Sequence, residues 1–295
     1  MSFSASDAAF EGFRVVRRHP MTVVWWALAH FAFFAIFLAV AAGPLTSVMA
    51  GVEALERSSE PSIAEAQVLG ISYLSVIAIA LPMSLLFGAV LNTAVARSVF
   101  RPDQSRFGYM RLGMDELRVL GVTVLISLAM MVASIVIFGV IGVAAGLISV
   151  AGVPALWVLV VLLVLAGAAA MIWLLVRLSL VVPMTLDRRK FALAEAFALT
   201  KGRVFPILGM AIIAFIMAIL VSLLGLVIGL PIQLAVGGGI EVLGAYDGQT
   251  LFQILSQAAP VLIGWSVLNA VFSALQLAVV YAPFSEAYRQ LRPAA

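Results

Sequence analysis

Six stretches without a single Asp, Glu, Lys or Arg dominate this chain of 295 residues, at 21–50, 66–96, 119–150, 154–176, 204–235 and 257–285. Each is long enough to cross the hydrocarbon of a bilayer, which takes about 20 apolar residues in helical form. The expected fold is therefore all-α, a polytopic membrane protein of six transmembrane helices. Composition agrees. Charged residues make up only 11% of the chain, against about a quarter in a soluble protein, and 64% are hydrophobic. A surface so short of charge has to meet lipid. Prolines punctuate the spans, with Pro20, Pro154, Pro206 and Pro260 near starts and Pro183 and Pro231 near finishes, where a missing amide is tolerated. Pro82 falls inside the second span and predicts a kink. Residues 119–176 could be taken for one run, but its length is about twice what one crossing needs, so a turn is expected between Leu147 and Pro154. The arginines before span one and Ala39-Val40-Ala41 within it resemble a cleavable leader. The uncharged stretch is too long for one, and span one is expected to be retained.

Arginine and lysine set the orientation. Sixteen of the seventeen fall on one side of the expected bilayer, and the other side holds Arg57 among Glu53, Glu56, Glu60, Glu65, Glu241 and Asp247. Both termini are therefore expected in the cytoplasm. Arginine greatly outnumbers lysine in a chain rich in Ala and Val, which points to a GC-rich bacterial source and to the inner membrane.

Three segments on the cationic side read as amphipathic helices lying in the interface. They are Asp7–Arg18, Tyr109–Arg118 and Phe191–Phe197, each placed before a span that enters from that side. The chain thus divides into three similar units of about 1–100, 101–186 and 187–295, each a helical hairpin of the same orientation, which makes a parallel repeat. Aligning Pro20, Gly121 and Pro206 brings Arg118 onto Arg203 and Asn92 onto Arg177. Gln276 takes the corresponding place in the third unit.

Polar groups inside the spans are the candidates for chemistry. His30 lies ten residues into span one, about 15 Å deep at 1.5 Å per residue. It reads either as a functional ionisable group or as a neutral imidazole bonded to a neighbouring helix. Arg177 either snorkels to the headgroups or meets Asn92 and Gln276 in a polar site suited to an anionic headgroup or to locking the bundle. Arg14, Arg17, Arg18, Arg118, Arg188, Arg189, Lys190 and Arg203 are the expected contacts to anionic lipid. The patterns Gly142–Gly146 and Gly225–Gly229 predict close helix packing within the protein, and Gly237-Gly238-Gly239 predicts a flexible turn. The acidic residues of the opposite side read as a solvated face. Cysteine is absent, and no zinc-binding, phosphate-loop or serine-elbow motif occurs. No catalytic residue, metal or cofactor is expected, and no nucleic-acid partner.

One segment carries a family resemblance. Arg177-Leu178-Ser179-Leu180-Val181-Val182-Pro183, followed by Ala194-Glu195-Ala196-Phe197-Ala198-Leu199-Thr200-Lys201-Gly202, resembles the membrane domain of some bacterial glycerophosphodiester phosphodiesterases. Where that pattern has a serine-aromatic pair, this chain has Ala196-Phe197. The phosphodiesterase activity of the fused proteins belongs to a separate soluble barrel, so the resemblance implies a helical inner-membrane module without it. The expected role is non-enzymatic, holding anionic lipid or scaffolding other membrane proteins. The alternative is a transporter or lipid translocator with a path between the repeats.

Overall fold

The computed structural model describes residues 3–58, 62–235 and 251–292, with side chains left out from 232 to 262. It is helical throughout, with no strand among the described residues. Ten α-helices follow one another: α1 (Ala5–Ala9), α2 (Glu11–Arg18), α3 (Pro20–Arg57), α4 (Ile63–Phe100), α5 (Met114–Ala151), α6 (Trp157–Leu178), α7 (Val181–Arg188), α8 (Leu193–Leu199), α9 (Val204–Ala235) and α10 (Leu251–Leu291). Six of them, α3 to α6 with α9 and α10, are long and apolar enough to cross a membrane. The chain is a multi-pass membrane protein.

Local chemistry explains the element ends. Pro20 opens α3, where its missing amide costs nothing. Ser62 and Glu65 cap α4 reciprocally, each side chain bonding the other's backbone amide. The expected turn between the third and fourth spans is present, with Gly152 ending α5 and Pro154 opening a short 3-10 turn before α6. Within the spans, hydroxyls that would otherwise face hydrocarbon bond to carbonyls of the preceding turn. Ser72 bonds to Val68, Ser75 to Ile71, Ser134 to Met130 and Ser222 to Ala218. Helix α4 runs unbroken through Pro82, and α3 through Pro44.

Neighbours follow chain order. Helix α3 packs on α4, α4 on α5, α5 on α6, α6 on α9 and α9 on α10, and α10 returns to α3 and also touches α4. Burial gathers at the end that carries both termini. One cluster joins Ala8 and Ala9 of α1, Val122 of α5, Leu180 to Met184 around α7, Ala196 of α8, Ile207 and Met210 of α9, and Ala287 and Tyr288 of α10. A second joins Val15, Trp26, Leu91, Val95, Tyr109 and Ala274 to Ala282. Toward the far end burial falls to isolated positions such as Ala41, Ser72 and Ile148, while Ile135, Val136, Val143 and Leu147 on one face of α5 are open.

Three expectations need correction. Tyr109–Arg118 does not form a separate amphipathic helix. A 3-10 turn at Arg106–Tyr109 carries three consecutive left-handed residues, Phe107, Gly108 and Tyr109, and α5 starts only at Met114. A Cβ on Gly108 would lie 2.7 Å from the Trp25 Cβ, so this turn needs glycine there. Helices α1 and α2 do not rest their apolar faces on lipid alone. Gly12 sits directly against α10, where a Cβ would come within 2.5 Å of the Ala278 carbonyl oxygen. Of the two GxxxG patterns only one packs as expected. Gly225 meets the Phe272 ring and Gly229 meets Leu268, whereas Gly142 and Gly146 have nothing within 4 Å. The Gly237-Gly238-Gly239 turn and the carboxylates Glu60, Glu241 and Asp247 lie outside the described residues.

Candidate functional site

Helix α6 sets the scale of the site. Its 22 residues rise about 33 Å, close to the roughly 30 Å of a hydrocarbon core. Trp157 marks one end and Arg177 the other, a matched span with an amphipathic residue at each interface. Backbone turns at Ser179 and Leu180 then break the helix and α7 begins, which brings α8 back beside the end of α6.

Arg177 is 7% exposed and does not snorkel freely. Its guanidinium lies 3.8 Å from the centre of the Phe197 ring on α8 and 5.6 Å from that of Trp173, one turn earlier. The two rings meet edge to face at 5.7 Å. A desolvated contact of this kind contributes about 2 kcal/mol. It leaves the guanidinium N–H groups without an acceptor among the described residues. Nε is enclosed and makes no hydrogen bond, and the two Nη nitrogens, which are not fully enclosed, have no partner among the described residues. Thr200, fully buried after α8, lies with its hydroxyl 3.1 Å from the Ala196 and Phe197 carbonyls and 3.3 Å from the Arg177 carbonyl, sharing one donor among them. The two halves of the resemblance segment, 177–183 and 194–202, therefore touch through Arg177, Phe197 and Thr200.

Arg177, Asn92 and Gln276 do not converge, contrary to the sequence reading. Helix α6 packs on α5, α8 and α9, while α4 and α10 pack on each other. Gln276 donates to the Ser222 hydroxyl of α9 at 2.5 Å. The Asn92 Oδ1 is enclosed with no partner among the described residues. His30 bonds through Nδ1 to the Trp26 carbonyl at 2.8 Å and lies edge-on to Phe87 of α4, so α3 and α4 occupy it. The partner of Gln276 belongs to a groove of about 330 Å³ between α9 and α10, where Asn269 and Ser273 join Ser222 and Gln276 beside Trp265.

A buried polar centre that the sequence did not signal lies one helix away. Arg97, 2% exposed, donates from Nη1 to the Tyr109 carbonyl at 2.5 Å and from Nη2 to Glu116 at 2.6 Å. The Trp26 indole donates to the Gly108 carbonyl at 2.7 Å, and the Tyr109 hydroxyl to the Pro102 carbonyl at 2.8 Å. Together these pin the α4–α5 connection against α3. Arg97 sits in the same cationic stretch as Arg101, Arg106 and Arg111, and only its fold-dependent partner sets it apart.

Of the eight expected lipid contacts, five already hold carboxylates. Arg14 pairs with Asp7 and Glu11, Arg18 with Glu11, and Arg118 with Asp115. Arg188 and Lys190 share Glu195. The Lys190 ammonium, and then Arg188, hold the Glu195 carboxyl below its ordinary range, and a hydrogen bond from Arg14 does the same for Asp7. Arg17, Arg189 and Arg203 are exposed, with no carboxylate partner among the described residues. Lys201 joins them, next to Thr200. Among the described residues no three His, Asp or Glu side chains gather as a metal site would need.

No family model, curated protein or solved structure matches the chain.

Proposed function

We propose that the chain is a non-enzymatic helical module of a bacterial inner membrane whose cytoplasmic end gathers anionic lipid, and that it is a freestanding relative of the membrane domain found fused to glycerophosphodiester phosphodiesterases. The observation that carries this reading is the unpaired rim of Arg17, Arg189, Lys201 and Arg203 at the end holding both termini. On that side sixteen cations face eight carboxylates, so pairing within the protein leaves half of them for other anions. Each cation close to an anionic leaflet contributes about 1 kcal/mol, and salt screens the effect. The lipid so held also gives other membrane proteins a surface to share.

The test is lipid retention by the purified full chain. Replacing Arg17, Arg189 and Arg203 together by Gln should lower co-purified phosphatidylglycerol and remove most of its salt dependence. Retention equal to the unaltered chain at every salt concentration overturns the reading.

The polar groove between α9 and α10 favours a second reading, passage of a lipid or solute along it. Flux or lipid scrambling in proteoliposomes, lost in Gln276→Leu and Asn269→Leu and kept in His30→Ala, supports it. Rates no higher than in empty liposomes remove it.

A further inference from the structure

We infer that Arg177, Phe197 and Trp173 form a discrete site for a single phosphate group at the end of α6, distinct from the diffuse rim. The inference rests on the lipid-binding reading above and narrows it to one pocket. Three observations meet there.

The first is an unmet demand. An arginine carries five N–H donors in a planar fork, and a group this buried ordinarily finds acceptors for them. Arg177 has none among the described residues, and no carboxylate pairs with it. The Phe197 ring stabilises the charge through its face but accepts no in-plane hydrogen bond. It also holds the guanidinium at the end of α6, 3.8 Å from the ring centre, so its donors are placed before any ligand arrives. Such a fork matches two oxygens of one phosphate, which a lysine ammonium cannot do.

The second is depth. Helix α6 matches the hydrocarbon thickness, so its Arg177 end lies at the boundary where lipid phosphates reside. The third is access. Trp173 is 47% exposed, so the flank of the cage is open on the side a lipid would approach. An acyl chain running along the face of α6 that carries Trp173, Ala170 and Ala166, all exposed, would leave its phosphate at the guanidinium. A free phosphate ester from the aqueous side presents the same oxygens.

The experiment uses the full chain in nanodiscs and counts bound lipid by native mass spectrometry. In discs of mixed phosphatidylglycerol and phosphatidylcholine, the unaltered protein should keep one phosphatidylglycerol at high salt. Arg177→Gln and Arg177→Lys should each lower that occupancy about tenfold, the lysine failing because it lacks the fork. The Arg17, Arg189 and Arg203 triple variant should keep this lipid while losing the salt-sensitive remainder. In discs of phosphatidylcholine alone, glycerol phosphate added to the unaltered protein tests the soluble source. Saturable binding lost in Arg177→Gln also supports the site and assigns it to a free ligand.

Phe197→Leu keeps the bulk and removes the cage, so it serves if the arginine variants do not fold. It too should release the salt-resistant lipid. If Arg177→Gln, or Phe197→Leu in its place, retains that lipid in full while melting lower, Arg177 is a structural lock and the site is overturned. A rim variant that binds lipid normally, beside an Arg177 variant that does not, overturns the broader reading and leaves this one standing.

Discussion

Arg97 shows how a buried charge is kept at the level of single side chains. Withdrawing an ion pair from water costs several kcal/mol, and removing one partner alone leaves the other charge uncompensated, a loss of about 3–5 kcal/mol. Arg97→Ala and Glu116→Ala should each lower the melting temperature of the detergent-solubilised protein sharply. The double variant should recover part of the loss, which a double-mutant cycle measures. Glu195 behaves differently because it is exposed. Its folded pKa lies below the unfolded value through Lys190 and Arg188, so the pairing contributes in full above the ordinary glutamate value. The contribution fades only as pH falls through the depressed one. Thermal stability should therefore show no Glu195-dependent change between neutrality and about pH 5, above the ordinary glutamate value of about 4.3. Below that, the unaltered chain and Glu195→Gln should converge. Arg177 could be picked out of the sequence because it is a lone charge at the end of an apolar run. Arg97 could not, since its burial depends on a carboxylate 19 positions later and on a turn whose shape no local pattern announces.

At the level of helices, what the sequence revealed was the hydrophobic signal and its breaks. The third, fourth and fifth spans begin and end within a few residues of the expected places, because charge and proline mark them directly. The separate α7 and the left-handed turn at 107–109 escaped, since both depend on contacts with distant helices; the Trp26 bond to Gly108 spans 82 residues of sequence. Packing of small residues was half legible. Gly142 and Gly225 sit in the same pattern, yet only Gly225 has a neighbour. Gly142→Ala should be neutral or slightly stabilising, since alanine is worth up to about 1 kcal/mol over glycine inside a helix. Gly12→Ala should cost about 1–3 kcal/mol through overpacking against backbone that cannot move aside. Thermal melts of the two variants, run side by side, check the contrast.

For the molecule as a whole, the charge asymmetry predicted a two-ended object, and the structure places the start of α1 beside the end of α10, with the Ser4 amide donating to Gln290 at 3.0 Å. Why burial concentrates there was not readable, because lipid-facing and core-facing apolar residues look alike when the solvent is itself apolar. The candidate site was misjudged for a similar reason. Equivalent depth along three helices placed Asn92, Arg177 and Gln276 at one level without saying which helices touch. The chain contains no cysteine, so single cysteines at Ser4 and Gln290 can be read without background. Both should be labelled from the same face of sealed vesicles, and the pair should cross-link. Labelling from opposite faces would break the topology.

The docking of α2 on α10 has a consequence in time. Gly12 of α2 meets Ala278 of α10, so α2 leaves the ribosome long before its mate exists. Arg97 waits a shorter while, about one to four seconds at 5–20 residues per second, until residue 116 is made. Until α10 arrives, α2 must idle at the membrane surface, and only then does the bundle close.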